Sequence, residues 1–224
     1  MDAYAQERAR LRRLWANTVP IADAQAVGGR TYLQRRGIPA AVAVAARVRY
    51  AGLWGSMDTF SGPAVVFPMQ DADGKLVAAE GRFMTPPADE ATTYRAGAKG
   101  GGVFQAVPGA LDAVGVTLVE GPVTALSVAA CGYPAVALCG SAMPTWLAPR
   151  LAQRDVLVSL DWYEMAAEAT AVPIFRALAA AGAKPYRLAP PAGRDWNDYL
   201  QAVGLEMMHA ELDRAIVAAL VPRG

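Results

Sequence analysis

The sequence predicts an α/β fold in which a parallel β-sheet is flanked by helices and is preceded by a smaller α+β segment. From Val116 onward, short apolar runs typical of buried strands alternate with segments of helical periodicity. Such alternation favours a parallel sheet that is covered on both faces. Before that point, helical segments are followed by two apolar runs around Asp73-Gly74, which is typical of a β-hairpin.

The first half of the chain is predicted to hold three helices and one hairpin. The helices are expected at residues 2–16, 22–36 and 39–46. Gly37 suits the C-cap of the second helix, because glycine tolerates a left-handed backbone. The hairpin strands are expected at residues 65–69 and 76–79, with Arg82 and Phe83 extending the second. Residues 85–102 are rich in Pro, Gly and polar side chains and are expected to form an irregular loop.

The second half is predicted to alternate strands and helices. The strands are expected at residues 116–119, 134–138, 155–160 and 184–188. The helices are expected at residues 122–131, 144–153, 164–181 and 196–203, followed by a last helix at 205–219. We therefore divide the chain into an N-terminal α+β subdomain (1–112), an α/β domain (113–204) and a C-terminal helix (205–219). Residues 220–224, LVPRG, match a thrombin cleavage sequence without its final serine and are interpreted as a tag remnant.

Composition excludes several classes of protein. No apolar run among the 224 residues is long enough to span a bilayer, and the Arg-rich start is unlike a signal peptide, so we expect a cytoplasmic protein without a membrane partner. Cys131 and Cys139 are the only cysteines and His209 is the only histidine. A zinc site made of cysteine and histidine is therefore excluded, and buried reduced thiols are expected rather than a disulfide.

Acidic residues recur where predicted strands end. Glu120 follows the strand 116–119, Asp161 follows 155–160, and Asp195 with Asp198 lies in the segment GRDWNDYL. Because parallel sheets bind ligands at the carboxyl ends of their strands, these acids are expected to hold a divalent metal over a phosphate. The structural alternative is that Asp161 and Asp195 are helix N-caps.

Basic residues leave two interpretations open. The net charge is only +1, yet arginines crowd the first two predicted helices, notably Arg12, Arg13, Arg35 and Arg36. They form either solvated helix faces or a surface that follows a nucleic-acid backbone. The glycine-rich segment 97–104 contains Lys99 but lacks the Lys-Ser/Thr of a Walker loop, so it is either a flexible surface loop or a phosphate cradle. Arg82 is either an exposed charge or an anion clamp.

Five segments in this order resemble bacterial DnaG-type primases and phage primase–helicases. They are GPAVVFPMQDADGKLVAAEGRFM, TTYRAGAKGGGVF, VEGPVTALS, LDWYEMAAEA and GRDWNDYL. The segment LWANTVPIADAQAVGGRTYLQRRGI is similar to the leader of Toprim proteins from phages and mobile elements. The resemblance covers about residues 10–203 and implies a Toprim domain, a Rossmann-like parallel sheet flanked by helices, behind a primase-type N-terminal subdomain.

The resemblance also implies a function and a set of site residues. It implies an RNA-polymerase core that makes primers on a single-stranded DNA template from nucleoside triphosphates, with Mg²⁺ or Mn²⁺. Glu120 and Asp161 would be catalytic and would bind metal together with Asp195 and Asp198. The phosphate-binding residues would be Arg82, Lys99, Tyr94 and Arg95. The segments quoted contain no helicase motor and no zinc-binding module, so either the function has diverged or other chains supply these parts in trans.

One departure from the family pattern keeps other functions open. The second aspartate of the family's DxD motif is Tyr163 here, and the glycine that follows is Ala166. A phenol stays protonated at neutral pH and is a poor Mg²⁺ ligand. The alternatives to a primase are therefore a degenerate Toprim module that binds nucleic acid or nucleotides without catalysis, and a Toprim nuclease.

Overall fold

Two five-stranded β-sheets organise the described part of the protein. A computed structural model describes residues 3–56, 59–98, 100–140, 142–160, 165–191 and 195–221. Within these ranges, one sheet is antiparallel and the other is mainly parallel. The α/β class predicted from the sequence is confirmed.

The antiparallel sheet and three helices form the first half of the chain. Its strands, in both chain order and sheet order, are β1 (Val19–Pro20), β2 (Arg49–Gly55), β3 (Ser61–Gln70), β4 (Leu76–Phe83) and β5 (Thr93–Gly97). The helices are α1 (Ala3–Ala16), α2 (Val27–Arg35) and α3 (Ala40–Ala45). The predicted β3–β4 hairpin is confirmed, and Gly74 has φ +74° in its turn.

The second sheet has the strand order β10-β9-β7-β8-β6. Its strands are β6 (Phe104–Gln105), β7 (Gly115–Val119), β8 (Ala135–Ala137), β9 (Asp155–Ser159) and β10 (Lys184–Arg187). All pairs are parallel except β6–β8. The helices are α4 (Pro122–Ala130), α5 (Leu147–Arg150), α6 (Met165–Ala180), α7 (Trp196–Val203) and α8 (Leu205–Leu220). The alternation of strands and helices predicted for this half is confirmed.

Three predictions need correction. The helix predicted at 22–36 begins with a 3₁₀ turn, Ala24–Ala26, because the Asp23 carboxylate accepts a hydrogen bond from the Gln25 N–H at 2.8 Å and caps that turn. The loop predicted at 85–102 contains β5, whose backbone is paired by β4. The helix predicted at 144–153 shrinks to four residues, because Pro149 lacks an N–H and Gln153 has φ +64°.

A shared apolar core joins the two halves of the chain. Ile38, from the first half, and Leu200 of α7 are both buried in one cluster that also includes Phe67 of β3 and Leu126 of α4. Burial of such side chains stabilises each by about 1.5–3 kcal/mol relative to exposure. The two halves therefore fold against each other. No helix in the described ranges is both long enough and apolar enough to cross a membrane.

Candidate active site

A polar cavity of about 310 Å³ lies between β4–β5 of the first sheet and the carboxyl ends of β7 and β8. Its polar lining comes from both halves of the chain: Arg36, Glu80, Arg82, Thr93, Arg95, Glu120, Thr124, Asp195 and Asn197. A cleft at the carboxyl ends of parallel strands is where α/β sheets bind ligands.

Glu120 lies at the turn from β7 into α4. Gly121 is the N-cap of this helix and Pro122 its first residue, a position where the missing N–H of proline carries no cost. The Cys139 N–H donates to the Glu120 carbonyl at 2.9 Å, which ties the turn to the end of β8. The backbone therefore places Glu120, which is half-buried, at the wall of the cavity.

Asp195 and Asp198 are separated by the start of α7. Asp195 is the N-cap, and its Oδ1 accepts a hydrogen bond from the Asp198 N–H at 2.7 Å. Its Oδ2 accepts from the Thr124 hydroxyl at 3.2 Å. Asp195 lines the cavity, whereas the Asp198 side chain is exposed and does not line it. The structural interpretation of Asp195 as a helix cap is confirmed, and it coexists with a place in the cavity.

Four cavity residues face one another across the β4–β5 ladder. Glu80 is paired with Arg95, and Arg82 with Thr93. An Arg95 Nη2 hydrogen donates to Glu80 Oε2 at 2.7 Å, and the Glu80 side chain is only 10% exposed. Glu80 therefore compensates the charge of Arg95. Arg82 also lines the cavity, and it forms no ion pair with another described residue.

Tyr94 lies on the opposite face of β5 from Arg95. Its ring packs edge-on against Trp54, with centroids 6.5 Å apart, and the Arg10 guanidinium lies 5.0 Å from the ring centroid. Neighbouring side chains of a strand point to opposite faces, which explains the separation. Tyr94 is accordingly absent from the cavity lining, so the geometry gives no support to its predicted phosphate-binding role.

Only one of the four arginines predicted to contact nucleic acid reaches the cavity. Arg36, at the end of α2, lines it, and its Nη1 hydrogen donates to Asn197 Oδ1 at 3.2 Å. Arg12, Arg13 and Arg35 are exposed and lie outside the cavity lining. Because Asn197 is neutral, this hydrogen bond adds no negative charge beside Arg36.

The donor set of the cavity fits a hydrated magnesium ion. Glu120 and Asp195 both line it, and Mg²⁺ is usually held by one or two carboxylates together with waters and substrate phosphates. In the described ranges, no three His, Cys, Asp or Glu side chains form a metal-binding group by themselves. Asp161, the third predicted ligand, lies outside the described residues, as do Tyr163 and Lys99.

Sequence reasoning named Arg82 and Arg95 but missed other polar residues of the cavity: Glu80, Thr93, Thr124 and Asn197. Glu80 and Arg82 are two positions apart on one strand, as are Thr93 and Arg95, so period-2 alternation places each pair on one face. This alternation predicts the shared face once residues 93–97 are assigned to a strand. Asn197, between the two aspartates of GRDWNDYL, carried no comparable signal, because its partners come from α2 and α4.

Comparisons with known proteins identify the class. Residues 115–206 match the family model of the Toprim domain, the domain that the sequence resemblance implied for this part of the chain. Residues 5–102 match a family described as a domain of unknown function (DUF7146). A search among curated proteins finds no match.

Solved structures define the fold more narrowly. The Aquifex aeolicus primase, with its zinc-binding and RNA polymerase domains, is similar at 19% identity and a TM-score of 0.68, over 96% of this chain and 60% of that one. The RNA polymerase domain of Mycobacterium tuberculosis primase DnaG is similar at 18% identity and a TM-score of 0.65, over 99% and 88%. A DnaG catalytic domain bound to single-stranded DNA is similar at 16% identity and a TM-score of 0.65, over 98% of this chain and 87% of that one. The protein has the fold of a DnaG-type catalytic core and spans about three-fifths of the Aquifex chain.

Proposed function

We propose that this protein is the catalytic core of a DNA primase, which joins nucleotides into a primer on single-stranded DNA with the help of Mg²⁺ or Mn²⁺. One observation carries the proposal: carboxylates and arginines line the same cavity at the carboxyl ends of β7 and β8. Carboxylates suit a hard cation, and arginines suit the phosphates that accompany it. The likeness to DnaG catalytic cores supports the same conclusion at the level of fold.

The cavity residues divide into two chemical roles. Glu120 and Asp195 would hold the cation, joined by Asp161 if the resemblance to the family extends to it. Arg36 and Arg82 would bind the triphosphate of the incoming nucleotide. The bound cation supplies positive charge that stabilises the phosphoryl oxygens in the transition state and in the leaving group.

The reaction forms one phosphodiester bond and releases pyrophosphate. The 3′-hydroxyl oxygen of the growing primer attacks the α-phosphorus, and the bond from that phosphorus to the bridging oxygen of pyrophosphate breaks in line. Glu120 would accept the hydroxyl proton. Arg82 would neutralise the negative charge that develops on pyrophosphate, since a fixed guanidinium needs little reorganisation during the reaction.

The partners proposed for this reaction are a single-stranded DNA template and nucleoside triphosphates. A replicative helicase and a zinc-binding module are further proposed partners. Arg12, Arg13 and Arg35, which are exposed, would contact template phosphates, and counterion release would make that binding salt-dependent.

A second candidate function is a binding module that has lost catalysis. The observation that favours it is Tyr163, which takes the place of a family carboxylate. Such a module would bind single-stranded DNA in the presence of a chelator and make no primer. Tyr163→Asp would then create activity.

One assay separates these functions. The protein is incubated with single-stranded DNA, labelled nucleotides and Mg²⁺ or Mn²⁺, and products are resolved by size. A primase makes oligonucleotides only when nucleotides and metal are both present, a nuclease shortens the DNA without nucleotides, and a binding module does neither.

Glu120→Gln tests the site within that assay. It preserves the shape of the side chain but removes its charge, so primer synthesis should fall by about 100-fold or more. Glu206→Gln, an exposed residue in the first turn of α8, is the matched control and should keep full activity. Unchanged synthesis by Glu120→Gln would overturn the assignment.

A further inference from the structure

The side chain of Asn197 makes four hydrogen bonds at the cavity. It is 1% exposed and lies in the first turn of α7. Its Nδ2 hydrogens donate to the Arg36 carbonyl at 2.8 Å and to Ser127 Oγ at 3.0 Å. Its Oδ1 accepts from Arg36 Nη1 at 3.2 Å and from Gln201 Nε2 at 3.1 Å. One buried amide thus ties α2, α4 and α7 together.

The orientation of this amide follows from its partners. A guanidinium can only donate, so it must face the amide oxygen, and a carbonyl can only accept, so it must face the amide nitrogen. The Ser127 hydroxyl donates to the Val123 carbonyl at 3.0 Å, which leaves its oxygen to accept from Asn197. The two contacts to Arg36 therefore require one donor and one acceptor from the same side chain.

Aspartate cannot meet this requirement. A carboxylate in place of Asn197 would repel the Arg36 carbonyl and would pair its charge with the Arg36 guanidinium. The amide instead holds the guanidinium by a hydrogen bond without neutralising it. The Tyr32 ring provides a second support, since the Arg36 Cζ lies 5.7 Å from its centroid.

We infer that Asn197 is a positioning residue, which fixes the Arg36 guanidinium at the cavity and preserves its positive charge for a phosphate group. The inference rests on the proposed function in so far as that function supplies the phosphate, from either a nucleotide or the template. It also explains why a neutral amide lies between the two aspartates of GRDWNDYL: a third acid there would cancel the cation beside it.

The test measures anion binding without catalysis. Tripolyphosphate and an oligo(dT) are titrated separately into the intact chain, in a buffer with chelator. Asn197→Asp should weaken binding of at least one probe about tenfold, because a hydrogen-bonded charge contact of this kind contributes about 1.5 kcal/mol or more. Weaker binding of tripolyphosphate assigns Arg36 to nucleotide phosphates, and weaker binding of oligo(dT) assigns it to template phosphates. Asn197→Ser releases the guanidinium without adding a charge, so it should lose less affinity. It replaces the aspartate variant in this test if that variant does not fold.

A double-mutant cycle separates positioning from a general loss of structure. In an Arg36→Gln background, the neutral substitution Asn197→Ser should have no further effect on affinity, since the group that Asn197 positions is gone. Ser159→Ala is the matched control, because it removes another buried hydrogen bond of α7, from Trp196 Nε1 at 2.8 Å, without touching Arg36. It should lower stability and leave affinity unchanged.

Three results would overturn the inference: wild-type protein that binds neither probe, an Asn197→Asp variant that binds as wild type does, or an effect of Asn197→Ser that persists without Arg36. Since no primer is made in these titrations, the inference can fail while the proposed synthesis holds, and the reverse.

Discussion

Asp195 has two separable roles in this structure, and two substitutions distinguish them. Its Oδ1 caps α7 and its Oδ2 accepts from Thr124, while its charge belongs to the cavity. Asparagine is as good an N-cap as aspartate, so Asp195→Asn keeps the cap and removes the charge. Asp195→Ala removes both.

The magnitudes follow from the contacts. Loss of an N-cap costs about 1 kcal/mol, and loss of the Thr124 hydrogen bond about 0.5–1 kcal/mol more. Asp195→Ala should therefore lower the free energy of unfolding by about 2 kcal/mol. Asp195→Asn should lower the free energy of unfolding by only about 0.5 kcal/mol, because the neutral amide interacts more weakly with the helix dipole. For a chain of this size, each kcal/mol corresponds to about 2–4 °C in Tm.

Activity should not follow stability. Both variants lose the carboxylate charge, so both should lose primer synthesis to a similar degree, by about 100-fold. Urea unfolding and the primer assay, measured on the same preparations, make the comparison. Asp198→Asn is the control: its side chain is exposed and the cap uses its backbone N–H, so it should retain both properties. Wild-type synthesis by Asp195→Asn would refute a role for the charge, and equal stability of the two Asp195 variants would refute the cap.

Three further predictions concern single side chains. Glu80→Gln should tighten tripolyphosphate binding in titration, because it removes the negative charge paired with Arg95. It should also lower the free energy of unfolding in urea by about 1–3 kcal/mol. Weaker tripolyphosphate binding by this variant would contradict the prediction. Gly81→Ala should destabilise by about 1–3 kcal/mol, because the added Cβ would lie 2.2 Å from Trp54 Cδ1. The matched Gly52→Ala meets nothing within 4 Å and should unfold at nearly the wild-type urea concentration. Burial raises the pKa of the Cys131 thiol to about 11 from an ordinary 9.0. The neutral thiol therefore contributes its full stability below pH 9, and this contribution is lost as the pH rises towards 11. Cys131→Ala should make the free energy of unfolding fall less steeply over this pH range, and an equal slope in both proteins would refute the prediction.

The parallel sheet and its flanking helices were predictable because each element carries a local pattern. The strands β7 and β9 read as short apolar runs, and α7 begins at the residue expected from Asp195 as its cap. Elements that depend on a partner were not predictable. β5 has little apolar character of its own and exists because β4 offers its backbone donors and acceptors. The short β6 likewise needs β8 beside it.

The candidate site divides in the same way. The sequence alone determined that Glu120 and Asp195 stand at the ends of their elements, since strand ends and helix caps are local features. Only the tertiary structure decided that both carboxylates line one cavity with Arg36 and Arg82, and that Asp198 and Tyr94 are not part of its lining. A side chain's direction depends on the register and face of the element that carries it, and these are fixed by packing between segments far apart in the chain. Local sequence patterns identify the candidate chemical groups, whereas long-range packing determines which of these groups lie close together.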